Sequence, residues 1–223
     1  MIFAPLYHYY GRSLEAILEQ RMPSCCTGAD IVMGVDARPP TDAYDAVTTK
    51  YVRAQETFLA GKYDALLTIE DDIIAPRDAL ARLLETEGDV CYALYVSRRS
   101  HKWLAYTEIV GEDGRSLSDD PELARRTWGS VIEVQGVGLG CTLIRRHVLE
   151  SISFRRSGQG CCDWYLAQDC IERGFRQVCD TGLLAGHIEV CRGTPFVLWP
   201  DPNSSSMLRR EELPTGRSRQ DTG

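Results

Sequence analysis

An alternation over residues 1–96, strand-length apolar runs separated by segments of helical spacing, most constrains what this chain can fold into. The runs are Ile2 to Leu6, Ile31 to Val35, Ala65 to Ile69 and Val90 to Tyr95, and the helix candidates between them are Ser13 to Arg21, Ala43 to Ala60 and Arg77 to Glu85. Strands joined through helices do not form hairpins, so the order predicts an α/β fold on a mostly parallel sheet. Ala43 to Ala60 carries the clearest period: Val47, Tyr51, Ala54, Phe58 and Leu59 recur at three and four, while Lys50, Arg53 and Glu56 lie elsewhere on the helix. Gly61 then supplies a helix stop.

Beyond residue 96 the pattern shifts to short strands at Trp103 to Val110 and Val131 to Val134, and a Gly-rich turn, Gly136 to Gly140, feeding a strand at Cys141 to Ile144. The polar stretch Glu112 to Gly129 between them reads as a mobile surface insertion. A helix over Asp163 to Arg173, closed by Gly174, precedes a strand at Arg176 to Cys179 and a loop reaching His187. From Pro200 the chain is polar without apolar period, so one domain is expected over 1–199 and a flexible tail over 200–223.

Composition excludes several classes. With 43% hydrophobic residues, the 223-residue chain is neither disordered nor fibrous. A formal charge of −7 offers no basic face to nucleic acid or anionic lipid. No apolar run approaches the roughly 20 residues of a membrane helix. The first residues lack a basic leader pattern, so a cytoplasmic protein is expected. The nine cysteines include no CxxC spacing and read as reduced thiols; the pairs Cys25-Cys26 and Cys161-Cys162 have no sequence explanation.

Three places carry chemistry. Glu70-Asp71-Asp72 falls at the C-terminal end of a buried strand, where open α/β sheets bind ligands. In extended chain, i and i+2 point the same way, so Glu70 and Asp72 can offer oxygens to one cation. Hard carboxylates suit Mg²⁺ or Mn²⁺, which share phosphate oxygens rather than sit in a full protein cage. The competing reading is a solvated turn whose acids cap the helix near Pro76. Asp163 at a helix start is either an N-cap or a rigidly held general base. His187, in a turn of small residues, is a candidate imidazole ligand for the same cation.

In order and spacing, these features resemble a GT-A fold glycosyltransferase of the broad family 2 type over residues 2 to 190, a Rossmann-like three-layer sandwich. Glu70-Asp71-Asp72 matches the DxD motif with Glu for the first Asp, and Gly138 to Arg146 resembles the acceptor loop and its following strand. Asp163 with Gly174-Phe175 matches the Asp of the ED motif and its trailing pair, with Cys162 where the Glu normally stands, and His187 matches the late metal-site histidine.

The resemblance implies a nucleotide-sugar half over about 1–96 and an acceptor half over about 97–199. It implies Mn²⁺ or Mg²⁺ held by Glu70, Asp72 and His187 against a donor diphosphate, with Asp163 removing the acceptor proton for an inverting displacement. It also implies donor contacts from Pro5, Tyr7, Asp36 and Asp71, Asp36 favouring a UDP-sugar. Lys50 and Arg53 are candidates for the phosphates, and Trp103, Trp128 and above all Trp164 for stacking on a sugar. Two alternatives stay open: an idle carbohydrate- or nucleotide-binding protein of the same fold, and a nucleotidyltransferase-like enzyme. The latter would show a basic Gly-rich loop after the first strand, which Tyr7 to Arg12 does not supply.

Overall fold

A computed structural model describes residues 1–5, 11–22, 24, 26, 28–34, 43–110, 113–156, 161–191 and 194–213. In chain order the first half gives β1 (Ile2–Pro5), α1 (Gly11–Leu18), β2 (Ile31–Gly34), α2 (Ala43–Ala60), β3 (Ala65–Ile69), β4 (Ile73–Ile74), α3 (Ala79–Glu85) and β5 (Val90–Leu94). The second half gives β6 (Tyr106–Val110), β7 (Asp113–Ser116), a 3-10 turn (Leu117–Asp119), α4 (Pro121–Arg126), β8 (Val131–Glu133), β9 (Cys141–Arg145) and α5 (Arg146–Ser151). It ends with α6 (Cys162–Arg173), β10 (Gln177–Leu184), β11 (Gly186–Cys191), β12 (Thr194–Pro200) and β13 (Leu208–Glu212).

The expected α/β fold is present. A central sheet of seven strands runs in the order β2-β1-β3-β9-β5-β10-β8, with β9 and β8 antiparallel to their neighbours and the rest parallel. Its middle strands read as continuous apolar runs because both faces are covered: every residue of β5 and Leu66 to Ile69 of β3 are buried. α2 packs on β1 and β2, while α3 packs on β5, β9 and β10. Inserting β9 between β3 and β5 puts its first residue at the same edge as the last residues of the parallel strands, so the Gly-rich turn and the acidic triplet meet there.

A second sheet, β13-β12-β11-β4, attaches to that edge. It corrects two expectations. The segment ending at His187, read as a loop, is strand: β10 extends to Leu184 and His187 lies in β11. Part of the expected flexible tail is also strand, since β13 pairs with β12 and buries Met207 and Leu208. The polar stretch Glu112 to Gly129, expected to be a mobile insertion, holds β7, which pairs with β6, and α4, tied in by buried Leu117 and Ala124. Its order starts at Ser116 and Asp119, which form a capping box, and continues at Asp120, whose side chain caps α4. No described helix is long and apolar enough to cross a membrane.

Candidate active site at the carboxyl edge of the sheet

Glu70-Asp71-Asp72 is not the end of an extended strand. The chain turns after Ile69, with Ile73 N–H donating to the Glu70 carbonyl at 2.9 Å. It is not a helix cap either, because α3 begins at Ala79 and its N-cap is Asp78. Asp71 and Asp72 are buried, at 0% and 3% exposure, which a solvated turn would not require.

Two buried threonines opposite each other in the β3–β9 pair, Thr68 and Thr142, fix the Gly-rich turn above them by donating to the carbonyls of Leu139 at 2.6 Å and Gly138 at 3.0 Å. The Glu70 N–H then donates to the Gly140 carbonyl at 3.0 Å, joining the two turns. Tyr95, buried at the end of β5, accepts the Gly140 N–H on its hydroxyl at 2.9 Å. A Cβ at position 138 would stand 2.2 Å from the Tyr95 hydroxyl, and one at position 140 would stand 2.8 Å from its ring, so glycine at both positions is what admits Tyr95. The Tyr95 ring in turn meets His187 edge-on, with centroids 5.6 Å apart.

The pairing of β11 with β4 delivers the histidine. Ile73 stands opposite His187, and Ile188 N–H donates to the Asp72 carbonyl at 2.8 Å. His187 Nδ1 lies 2.7 Å from the Val96 carbonyl. A carbonyl only accepts, so Nδ1 is the nitrogen that donates there, and Nε2 is the one turned toward Asp72. Nε2 is buried without a hydrogen-bond partner, 3.5 Å from Asp72 Oδ2. The nitrogen and the carboxylate oxygen are held together in this buried place by positive charge between or beside them, which the Arg98 guanidinium, 2.9 Å from the same oxygen, supplies on one side. The donor set, one imidazole nitrogen and carboxylate oxygen, fits Mn²⁺ or Mg²⁺ when phosphate and water complete the shell. Among the described residues, no group of three His, Cys, Asp or Glu side chains converges to hold a metal unaided.

Charge at the site is crowded. The Glu70 carboxyl is pushed up from 4.5 to about 8, first by burial, then by the Asp72 and Asp163 carboxylates, against the opposing pull of the Tyr51 hydroxyl and Arg98. Tyr51, wholly buried on α2, donates to Glu70 Oε1 at 3.0 Å. Asp163 is also raised by burial, opposed by the Trp164 N–H that donates to its Oδ1 at 2.8 Å. It lies at the second residue of α6, whose N-cap is Cys161, so it is not the helix cap.

Arg98, which the sequence reading passed over, places Nη2 2.9 Å from Asp72 Oδ2, the same oxygen that faces His187. It sits on a tight excursion after β5, where Ser97 N–H donates to the Lys102 carbonyl at 2.8 Å and Val96 bridges to Trp103. A lone arginine in a polar loop gives no sequence signal, because most are solvated.

The structure therefore brings Glu70, Asp72, Asp163 and His187 together. Pro5 lies at the end of β1, buried on the same edge. Lys50 is 4% exposed on the inner face of α2, whereas Arg53, three residues on, is exposed. Tyr7 and Asp36 lie outside the described residues. Trp103 is no sugar platform: it is fully buried, donates from Nε1 to the Met207 carbonyl and packs on Trp128 at 5.5 Å. Trp164 does line a cavity of about 300 Å³ that also includes Asp163, Tyr106 and Gly138.

The architecture is a mixed α/β fold on a seven-strand, mostly parallel central sheet, with the acidic turn, the Gly-rich turn and His187 gathered at one edge. The chain is similar in structure to A197 from STIV, with a TM-score of 0.58 and 17% identity over 90% of this chain and 89% of that one. It also aligns with S. aureus TarS 1-349 at a TM-score of 0.47 and 12% identity, over 80% of this chain and 56% of that one. No family model matches the chain, and no curated protein matches it in sequence.

Proposed function

We propose that the protein is a metal-dependent glycosyltransferase that moves a sugar from a nucleoside diphosphate donor, a UDP-sugar being favoured, to an acceptor hydroxyl with inversion. The observation that carries this reading is the buried pair of Asp72 Oδ2 and His187 Nε2, 3.5 Å apart with His187 Nδ1 turned to the Val96 carbonyl, on the sheet edge that also carries Asp163. Asp72 and His187, with Glu70 once ionised, are the groups that would hold Mn²⁺ or Mg²⁺. The metal supplies Lewis acidity to a leaving diphosphate.

The chain's own residues do the rest. Arg98, at the solvent side of Asp72, offers a guanidinium to the incoming phosphates. Asp163, raised by burial, is poised to accept the acceptor's proton as its oxygen attacks the anomeric carbon. The wall behind it, Gly138 over Tyr95, excludes water from one side of that carboxylate.

The test is a thermal-shift comparison of UDP, GDP, dTDP, CDP and ADP, each with Mn²⁺ and with EDTA. A ligand at about 100 times its Kd adds about 2.7 kcal/mol, several degrees for a domain of this size. A shift with one diphosphate that disappears in EDTA is the expected result, and no shift with any of them removes the donor site. Asp163→Asn is expected to lose transfer while keeping the diphosphate shift, and unchanged turnover would take the base role from Asp163.

A further inference from the structure

Tyr95 and Val96, the two residues that follow β5, reach both halves of the site. The Val96 carbonyl accepts from His187 Nδ1 at 2.7 Å, and the Tyr95 ring stands edge-on to the same imidazole, with centroids 5.6 Å apart at 71°. The other end of Tyr95 meets the Gly-rich turn, where its hydroxyl accepts the Gly140 N–H at 2.9 Å. The backbone of the pair is clamped, since Leu104 N–H donates to the Tyr95 carbonyl at 2.9 Å and Val96 bridges to Trp103. The Tyr95 side chain is 2% exposed and close-packed, so its two ends stay a fixed length apart.

The turn that Tyr95 holds is also what Asp163 lies against. A Cβ at position 138 would overlap the Tyr95 hydroxyl and stand 3.4 Å from Asp163 Oδ2, so phenol and carboxylate face the same small space over Gly138. Gly140 is pinned from two directions, its N–H by Tyr95 and its carbonyl by the Glu70 N–H at 3.0 Å. Thr68 and Thr142 separately hold the carbonyls of Leu139 and Gly138. The turn therefore keeps its fold without the phenol hydroxyl, but loses a bond that fixes where it stands relative to Asp163.

We propose that Tyr95 is a two-ended positioning residue, its ring setting His187 for the cation and its hydroxyl setting the Gly138–Gly140 turn against Asp163. One rigid side chain then fixes the distance between the metal and the base. The proposal rests on the transferase reading and adds what keeps the leaving group and the acceptor in line. An in-line displacement needs that alignment, because a misplacement of about 1 Å can cost about a hundredfold in rate.

Two substitutions in the whole chain separate the ends: Tyr95→Phe keeps the ring and drops the hydroxyl, whereas Tyr95→Leu drops both. The metal end is read as Mn²⁺ affinity, alone and with UDP, by loss of the free-ion EPR signal. The base end is read from the NMR signal of the Trp164 amide, which donates to Asp163 Oδ1 at 2.8 Å. Tyr95→Phe is expected to bind Mn²⁺ as wild type does while shifting the Trp164 signal, and Tyr95→Leu to bind Mn²⁺ about tenfold less tightly or worse. A side chain that served only the core would not split the two readouts. Loss of Mn²⁺ binding in Tyr95→Phe to the level of Tyr95→Leu, or an unmoved Trp164 signal in Tyr95→Phe, overturns the proposal. If Tyr95→Leu loses its melting transition, Gly138→Ala gives a second measurement: it should lower the midpoint of wild type and cost clearly less in Tyr95→Phe, where no hydroxyl meets the new methyl, and equal costs overturn the hydroxyl end. Wild type that binds Mn²⁺ but no diphosphate sinks the transferase reading and leaves Tyr95 positioning a cation site, whereas wild type that binds neither overturns the metal end as well.

Discussion

Glu70 and Arg98 set the charge of the site before any ligand enters it. A carboxyl with a folded-state value near 8 and an ordinary value of 4.5 is protonated in the folded chain while the unfolded chain has already lost its proton. Its contribution to stability is therefore full below about pH 4.5 and is lost as pH rises through about 8. Asp163, raised in the same direction, adds to the trend. The metal-free protein should melt at a falling temperature from about pH 5 to pH 8.5, and Glu70→Gln should flatten that slope while keeping the Tyr51 hydrogen bond; parallel slopes for the two proteins would remove Glu70 as the cause. Arg98 holds the Asp72 oxygen that faces His187, so it competes with any cation arriving there. Arg98→Gln is expected to bind Mn²⁺ several-fold tighter in the absence of nucleotide, read by the loss of the free-ion EPR signal, and to bind a nucleoside diphosphate with Mn²⁺ less well. An unchanged Mn²⁺ affinity would show that Arg98 does not occupy the cation's place.

At the scale of elements, the β3–β9 pair does most of the positioning, because it fixes both the acidic turn and the Gly-rich turn. Gly140→Ala would drive a Cβ to 2.8 Å from Tyr95 and 2.9 Å from Ile73. Overpacking of this kind costs about 1–3 kcal/mol, so calorimetry should show the midpoint falling by about 2–4 °C per kcal/mol. How legible each element was follows from what holds it. α2 spans Ala43–Ala60 as its three-and-four spacing predicts, since its apolar stripe faces the sheet. β10 was cut short and β11 missed because Thr181, Gly182 and Gly186 look like turn residues. In the fold, Thr181 is buried with its hydroxyl 2.6 Å from the Thr127 carbonyl, to which it donates, and 2.8 Å from the Ser130 carbonyl, a long-range use of a hydroxyl that no local pattern announces. β13 was hidden by its charges, Arg209 to Glu212, which an edge strand carries toward solvent. Asp72, Asp163 and His187 were readable as residue types at telling places. Tyr95 and Arg98 were not, because their roles come from the approach of Gly140 and Asp72 across the fold.

For the whole molecule, the second sheet makes the site depend on the far end of the described chain. β13 braces β12, β12 braces β11, and β11 carries His187 against β4 beside Asp72. Met207 is held by the buried Trp103 and, with Leu208, closes that side of the core. Ending the chain after Pro200 removes the buried Pro202, Met207 and Leu208, the last two worth roughly 1.5–3 kcal/mol each, and should lower both the melting temperature and the affinity for Mn²⁺. A truncated protein with unaltered Mn²⁺ binding would detach His187 from that brace. The same arrangement has a consequence in time. A ribosome presents Asp72 early and His187 late, and the strand that steadies the histidine emerges later still. A nascent or stalled chain can lay down the parallel strands of its first half while owning only the acidic part of the site, so translation must run through residue 212 before the histidine is braced beside its carboxylate.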